Sequence, residues 1–83
     1  MRKKTKQKNY YYTISLGLNS NYYLPETTYE KLHNSCHGHG YGFAQEDFSW
    51  NYTSHSSALK KFRELMRIRT KYVTSLSLTR DAK

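Results

Sequence analysis

Three stretches of this chain alternate in hydropathy, and that period of two constrains its fold more tightly than any other feature. In "YYYTISLGL", Tyr10, Tyr12, Ile14, Leu16 and Leu18 point one way, and Tyr11, Thr13, Ser15 and Gly17 the other. Phe48, Trp50 and Tyr52 alternate with Ser49, Asn51 and Thr53. Tyr72, Thr74, Leu76 and Leu78 alternate with Val73, Ser75, Ser77 and Thr79. Successive side chains of a strand leave on opposite faces, so each stretch reads as a strand with one buried and one wet side. The large apolar groups share one phase. They predict a core of Ile14, Leu16, Leu18, Phe48, Trp50, Leu76 and Leu78 under a helix.

That helix is predicted in "SHSSALKKFRELMRIR", where serines stand ready to cap and Ala58, Leu59, Phe62, Leu65, Met66 and Arg69 recur at three and four residues. A shorter helix is predicted in "LPETTYEKLH", with Pro25 in its first turn and Thr27 and Glu30 at capping-box spacing. Gly38, Gly40 and Gly42 end it, "GYGFA" enters a weak strand over 40–45, and Gln45 to Asp47 read as a tight turn. The resulting order is βαββαβ, an α+β domain of ferredoxin-like type. If the weak strand is only a loop, the expectation becomes a three-stranded antiparallel sheet packed by one main helix.

The chain's 83 residues hold one domain over 9–83, preceded by a basic flexible arm over 1–8. A single cysteine, Cys36, allows no internal disulfide, and the natural compartment is reducing and cytoplasmic. No run is apolar enough for a membrane span, and the basic N-terminus continues into tyrosines where a signal peptide needs an apolar core. Fourteen Lys and Arg against six Asp and Glu give a net charge of +8. Residues 1–8 carry +5 and residues 60–83 carry +6, while 9–59 carry −3. Segregated charge of this kind points to a surface that faces a polyanion.

Within the long helix Lys60, Arg63, Arg67 and Lys71 are spaced three, four and four, so they form one stripe of about three turns. Such a ridge can follow a phosphate backbone, and the planar fork of arginine matches two phosphate oxygens at once. Arg2, Lys3, Lys4, Lys6 and Lys8 supply an arm that reaches along a groove, and Tyr11 is the clearest aromatic on the open sheet face. Thr13, Ser15, Ser49, Asn51, Ser75, Ser77 and Thr79 cover that face with hydroxyls and one amide. RNA-recognition motifs share the βαββαβ order but stack bases on exposed sheet aromatics. Here the aromatics fall in the core phase instead.

His33, Cys36, His37 and His39 crowd seven positions beside three glycines. They are the residues that would supply a metal site, although structural zinc sites use separated ligand pairs and adjacent Cys36 and His37 do not easily ligate together. His37 to Tyr41, "HGHGY", resembles the HGHxY zinc-binding segment of the pyruvoyl-tetrahydropterin synthase family, which would make His37 and His39 ligands. It spans five residues, and no upstream third histidine stands where that family places one. The same His-x-His with many tyrosines resembles the HUH endonucleases, but Gly38 stands where that motif has a bulky apolar residue. No Ser/His/Asp triad is arguable from Asp47 and Asp81, and the glycines lack a P-loop lysine and serine. The expectation is therefore no cofactor, no metal and no catalytic residue.

The sequence reads best as a small, basic, non-enzymatic protein that binds DNA or RNA through the helix ridge and the arm, with Tyr11 and the loop histidines as further candidate contacts. One alternative is a small inhibitor or adaptor that meets an acidic protein surface of a nucleic-acid-processing complex, of the kind mobile elements encode. The other is a metal-dependent nuclease or zinc-stabilised module built on the His/Cys loop. An exposed sheet edge would also permit a homodimer.

Overall fold

A computed structural model describes residues 10–42 and 45–82. The elements are β1 (Tyr10–Asn19), α1 (Glu26–Ser35), β2 (Gly38–Gly42), β3 (Gln45–Tyr52), α2 (His55–Leu65), a 3-10 turn at Thr70–Tyr72, and β4 (Val73–Ala82). The four strands form one antiparallel sheet in the order β2-β3-β1-β4, so the domain is α+β. The weak strand is real, occupies Gly38–Gly42, and removes the three-stranded alternative. This order and these directions are compatible with a ferredoxin-like arrangement.

The register explains the core. Ile14 lies between Trp50 and Leu78, and Leu16 between Phe48 and Leu76. Ile14, Leu16, Leu18, Phe48 and Trp50 are buried, and Leu32 of α1 and Ala58 and Leu65 of α2 are buried with them. Leu76 and Leu78 are only half-buried, since β4 is an edge strand that the helices do not cover fully. Trp50 ties the layers together. Its Nε1–H donates to Ser35 Oγ at 3.1 Å, and Lys61 Nζ lies 5.7 Å from its ring centroid. On the opposite face Thr13 pairs with Asn51 and Thr79, and Ser15 with Ser49 and Ser77, as the alternation requires.

Four local expectations need correction. The long helix does not continue to Arg69: after Leu65 the bonding tightens to Arg67 N–H on Glu64 O (3.2 Å) and Ile68 N–H on Leu65 O (3.1 Å), and Arg69 is extended. This turn brings Ile68 back against the core and leaves Met66 61% exposed. In β4 a bulge between Gly17 and Leu18 pairs Leu18 with Val73, so Val73 turns inward and Thr74 outward, the reverse of strict alternation. Gly17 sits in the crowded side of that bulge, where a Cβ would lie 2.7 Å from Thr74 Oγ1 and 2.8 Å from Ser75 Oγ.

Pro25 is the N-cap of α1, and no side chain caps it. Thr27 falls inside the first turn, too late to form a capping box with Glu30. Gln45 to Asp47 are the start of β3 rather than a turn, because they pair with Leu18, Asn19 and Gly17 of β1 and with β2. The arm expected over 1–8, with Arg2, Lys3, Lys4, Lys6 and Lys8, lies outside the described residues. Among the described residues no helix is long and apolar enough to cross a membrane.

Candidate nucleic-acid interface

The N-cap of α2 is Ser54, whose Oγ accepts the Ser57 N–H at 3.3 Å. This bond satisfies one of the amides a helix start leaves free and sets the helical phase. The phase turns Ala58 and Leu65 inward and Lys60, Arg63 and Glu64 outward. Arg67, in the turn after the helix, swings back to the same side. Lys60, Arg63 and Arg67 thereby line one open groove of about 450 Å³ with Ser56, Leu59 and Glu64.

Among the described residues Glu64 is the one acid lining this groove, and Lys61 pairs with it. Its Oε1 accepts from Lys61 Nζ at 2.8 Å. That bond, aided by the charges of Lys61, Lys60 and Arg67 and opposed by partial burial, holds the carboxyl below its ordinary value. Lys61 also lies over Trp50 and so leaves the outward stripe. Lys60, Arg63 and Arg67 form no direct ion pair among the described residues, and Glu64 feels Lys60 and Arg67 only through their charge.

Beside it runs a second groove of about 660 Å³, between α1 and the turn after α2. Arg67 and Glu64 line both, and Lys31 and Arg69 stand in the second, with Leu24, Leu32, Leu65 and Ile68 as apolar wall. Lys31 is not part of the ridge that the helical spacing predicts. It lies 36 positions before Arg67 in the chain, and only the packing of α1 beside α2 brings the two together.

Lys71, the fourth predicted ridge residue, is not in the stripe. With the helix ended at Leu65, it sits in the 3-10 turn with its Nζ 5.2 Å from the Tyr72 ring centroid and 5.7 Å from that of Tyr22. Tyr11 is 37% exposed and belongs to the open face of β1, opposite the side that meets α2. The structure therefore separates Tyr11 from Lys60, Arg63 and Arg67.

The histidines divide as well. His33 of α1 and His39 of β2 meet edge to face at 5.0 Å, and His39 Nε2 lies 2.5 Å from Glu46 Oε2. His37 is drawn away, its Nδ1 accepting the Asn51 N–H at 2.7 Å and its ring against Tyr52. Cys36 is free and half-buried at the end of α1, with its thiol donating to His33 O at 3.4 Å. Among the described residues no three His, Cys, Asp or Glu side chains are arranged to hold a metal ion. No protein-family model matches the chain, and neither does any curated protein or solved structure.

Proposed function

We propose that this protein binds nucleic acid through the phosphates, with Lys60, Arg63 and Arg67 as the contact set. The observation that carries the reading is their convergence on one open groove whose only acid is engaged by Lys61. Lys60 and Arg63 on α2 and Arg67 in the turn after it set several cations along one open groove, as contact with a repeating phosphate backbone requires. Arg69 and Lys31 extend the basic surface past Arg67, and the five cations of residues 1–8 add to the attraction by charge alone. The contact is to phosphate, which predicts strong salt dependence and weak sequence preference.

The test compares the wild type with Lys60→Ala/Arg63→Ala/Arg67→Ala on mixed-sequence duplex DNA, single-stranded DNA and RNA at several salt concentrations. All three side chains belong to exposed residues, so the variant keeps the fold. Its plot of log affinity against log salt on duplex DNA should be shallower by roughly 2 to 3, since each phosphate that is no longer neutralised removes about 0.9 from the slope. An unchanged slope and affinity would end the proposal.

The apolar wall of the second groove favours one other reading, an acidic protein surface gripped by Lys31, Arg67 and Arg69. A wild type that binds no oligonucleotide at low salt would leave that reading in its place.

A further inference from the structure

Five large hydrophobic side chains are exposed among the described residues, and three of them, Tyr22, Tyr23 and Tyr41, line a single pocket. Its volume is about 340 Å³, enough for a small ligand or one side chain. Tyr29 and Glu46 complete it. This pocket is separate from both basic grooves and shares only Leu24 with them.

Four pieces of chain build it, with Glu46 supplied by β3. After β1, Asn19 Oδ1 accepts the Asn21 N–H at 2.9 Å and Asn19 O accepts the Tyr22 N–H at 3.3 Å, a turn that leaves Tyr22 50% and Tyr23 91% exposed. Tyr29 comes from α1, and its hydroxyl donates to Glu46 Oε2 at 2.5 Å. Tyr41 comes from the edge strand β2, directly opposite Glu46 in register.

The chemistry of the lining selects the ligand. Glu46 is the only charged side chain among the described lining residues, a local reversal of sign in a chain of net +8. Burial works against its ionisation, but hydrogen bonds from Tyr29 and His39 outweigh that and hold the carboxyl below its ordinary range. A phosphate entering here would meet a carboxylate. The faces of tyrosine rings carry negative potential and attract cations, and Tyr22 already does so with Lys71. A methylated ammonium satisfies both features, with its charge facing Glu46 and its methyl groups against the rings.

We propose that the pocket formed by Tyr22, Tyr23, Tyr29, Tyr41 and Glu46 binds a methylated ammonium group. Free choline-type molecules and methylated lysine side chains share this chemistry. The site is independent of phosphate binding by Lys60, Arg63 and Arg67.

The test is a titration of the full chain with choline, followed by amide chemical shifts. Parallel titrations use choline's neutral isostere, with carbon in place of nitrogen, and a short trimethyllysine peptide beside its unmodified form. Saturable shifts at residues 19–24, 41 and 46 are expected. Binding of the isostere should be about tenfold weaker, and Tyr23→Ala, Tyr41→Ala and Glu46→Gln should each weaken choline about fivefold or more. Tyr23 and Tyr41 are 91% and 76% exposed, so these two variants do not depend on the core.

Lys60→Ala/Arg63→Ala/Arg67→Ala should bind choline as the wild type does. A methylated peptide that binds tighter than choline identifies a protein ligand, and equal binding identifies the free head group. Equal binding of the isostere, or no saturable shift with either ammonium probe at millimolar concentration, overturns the proposal.

Discussion

Replacing Trp50 by phenylalanine should loosen the whole domain, because this side chain joins all of its layers. Trp50 is fully buried, faces Ile14 across the β1–β3 pair, packs on Phe48, and donates to Ser35 of α1. Phenylalanine keeps one ring, and loses the second ring and the N–H. The lost apolar area costs about 1 kcal/mol and the lost hydrogen bond about 1 kcal/mol more, so the total is roughly 1.5 to 2.5 kcal/mol.

A domain of this size holds about 4 to 12 kcal/mol in all, so Tm should fall by roughly 6 to 20 °C while the variant still folds. Ser35→Ala leaves the indole N–H of a buried ring without its acceptor and should cost about 1 to 3 kcal/mol. In the Trp50→Phe background the same change should cost almost nothing, since no donor remains. Urea unfolding followed by far-ultraviolet circular dichroism reads all four proteins, because Trp50 is the only tryptophan and its fluorescence disappears in two of them. If Ser35→Ala costs as much with phenylalanine at position 50 as with tryptophan, the bond between Trp50 and Ser35 contributes nothing and its role in joining the layers is refuted.

Other outcomes follow from the same structure. Tyr29 is pushed up to about 12 from its ordinary value by the hydrogen bond to Glu46, by burial and by the charge of that carboxylate. Among the chain's tyrosines one should therefore ionise late in an ultraviolet pH titration, and Tyr29→Phe should abolish that step. The stability linked to Tyr29 is complete below the unfolded tyrosine value and is lost as pH rises from there through about 12, so Tyr29→Phe should flatten the alkaline fall of the urea midpoint. Glu46 has the opposite sense: its folded value is lowered, so its contribution is present above the unfolded glutamate value and disappears as pH falls through the folded one. Glu46→Gln should flatten the acid side of the same urea profile, and an unaltered slope there would contradict the bond network around it. A chelator should leave Tm unchanged, and a fall on chelation in a thermal melt would show a stabilising bound metal and contradict the absence of a ligand cluster among the described residues.

Alternation makes the sheet and most of its core readable in the sequence, because Ile14, Leu16, Phe48 and Trp50 each sit in a strand where one slip would expose all of them. The bulge at Gly17 and Leu18 is not readable there. It depends on the meeting of two distant strands and reverses the phase of Val73 and Thr74. The end of α2 is hidden for a related reason: Arg67 and Arg69 continue the helical spacing, but Ile68 reaches the core only if the last turn tightens. Lys60 and Arg63 survive this change because they lie within α2, and Arg67 because the tightened turn returns it to the same side, whereas Lys71 falls in the 3-10 turn. Lys31 and the aromatic pocket carry no linear signal, since Lys31 meets the segment after α2 and the pocket joins the turn after β1 to α1, β2 and β3.

The measurement that bears most directly on phosphate binding is a map of amide chemical shifts as a mixed-sequence duplex is added at low salt. Binding through the α2 groove predicts perturbations concentrated at residues 56–69, with Lys60, Arg63 and Arg67 among the largest, and with Thr13, Ser15, Ser75 and Ser77 on the open face unmoved. Shifts concentrated on that hydroxyl-covered face, or none at all with the duplex in excess, would contradict it.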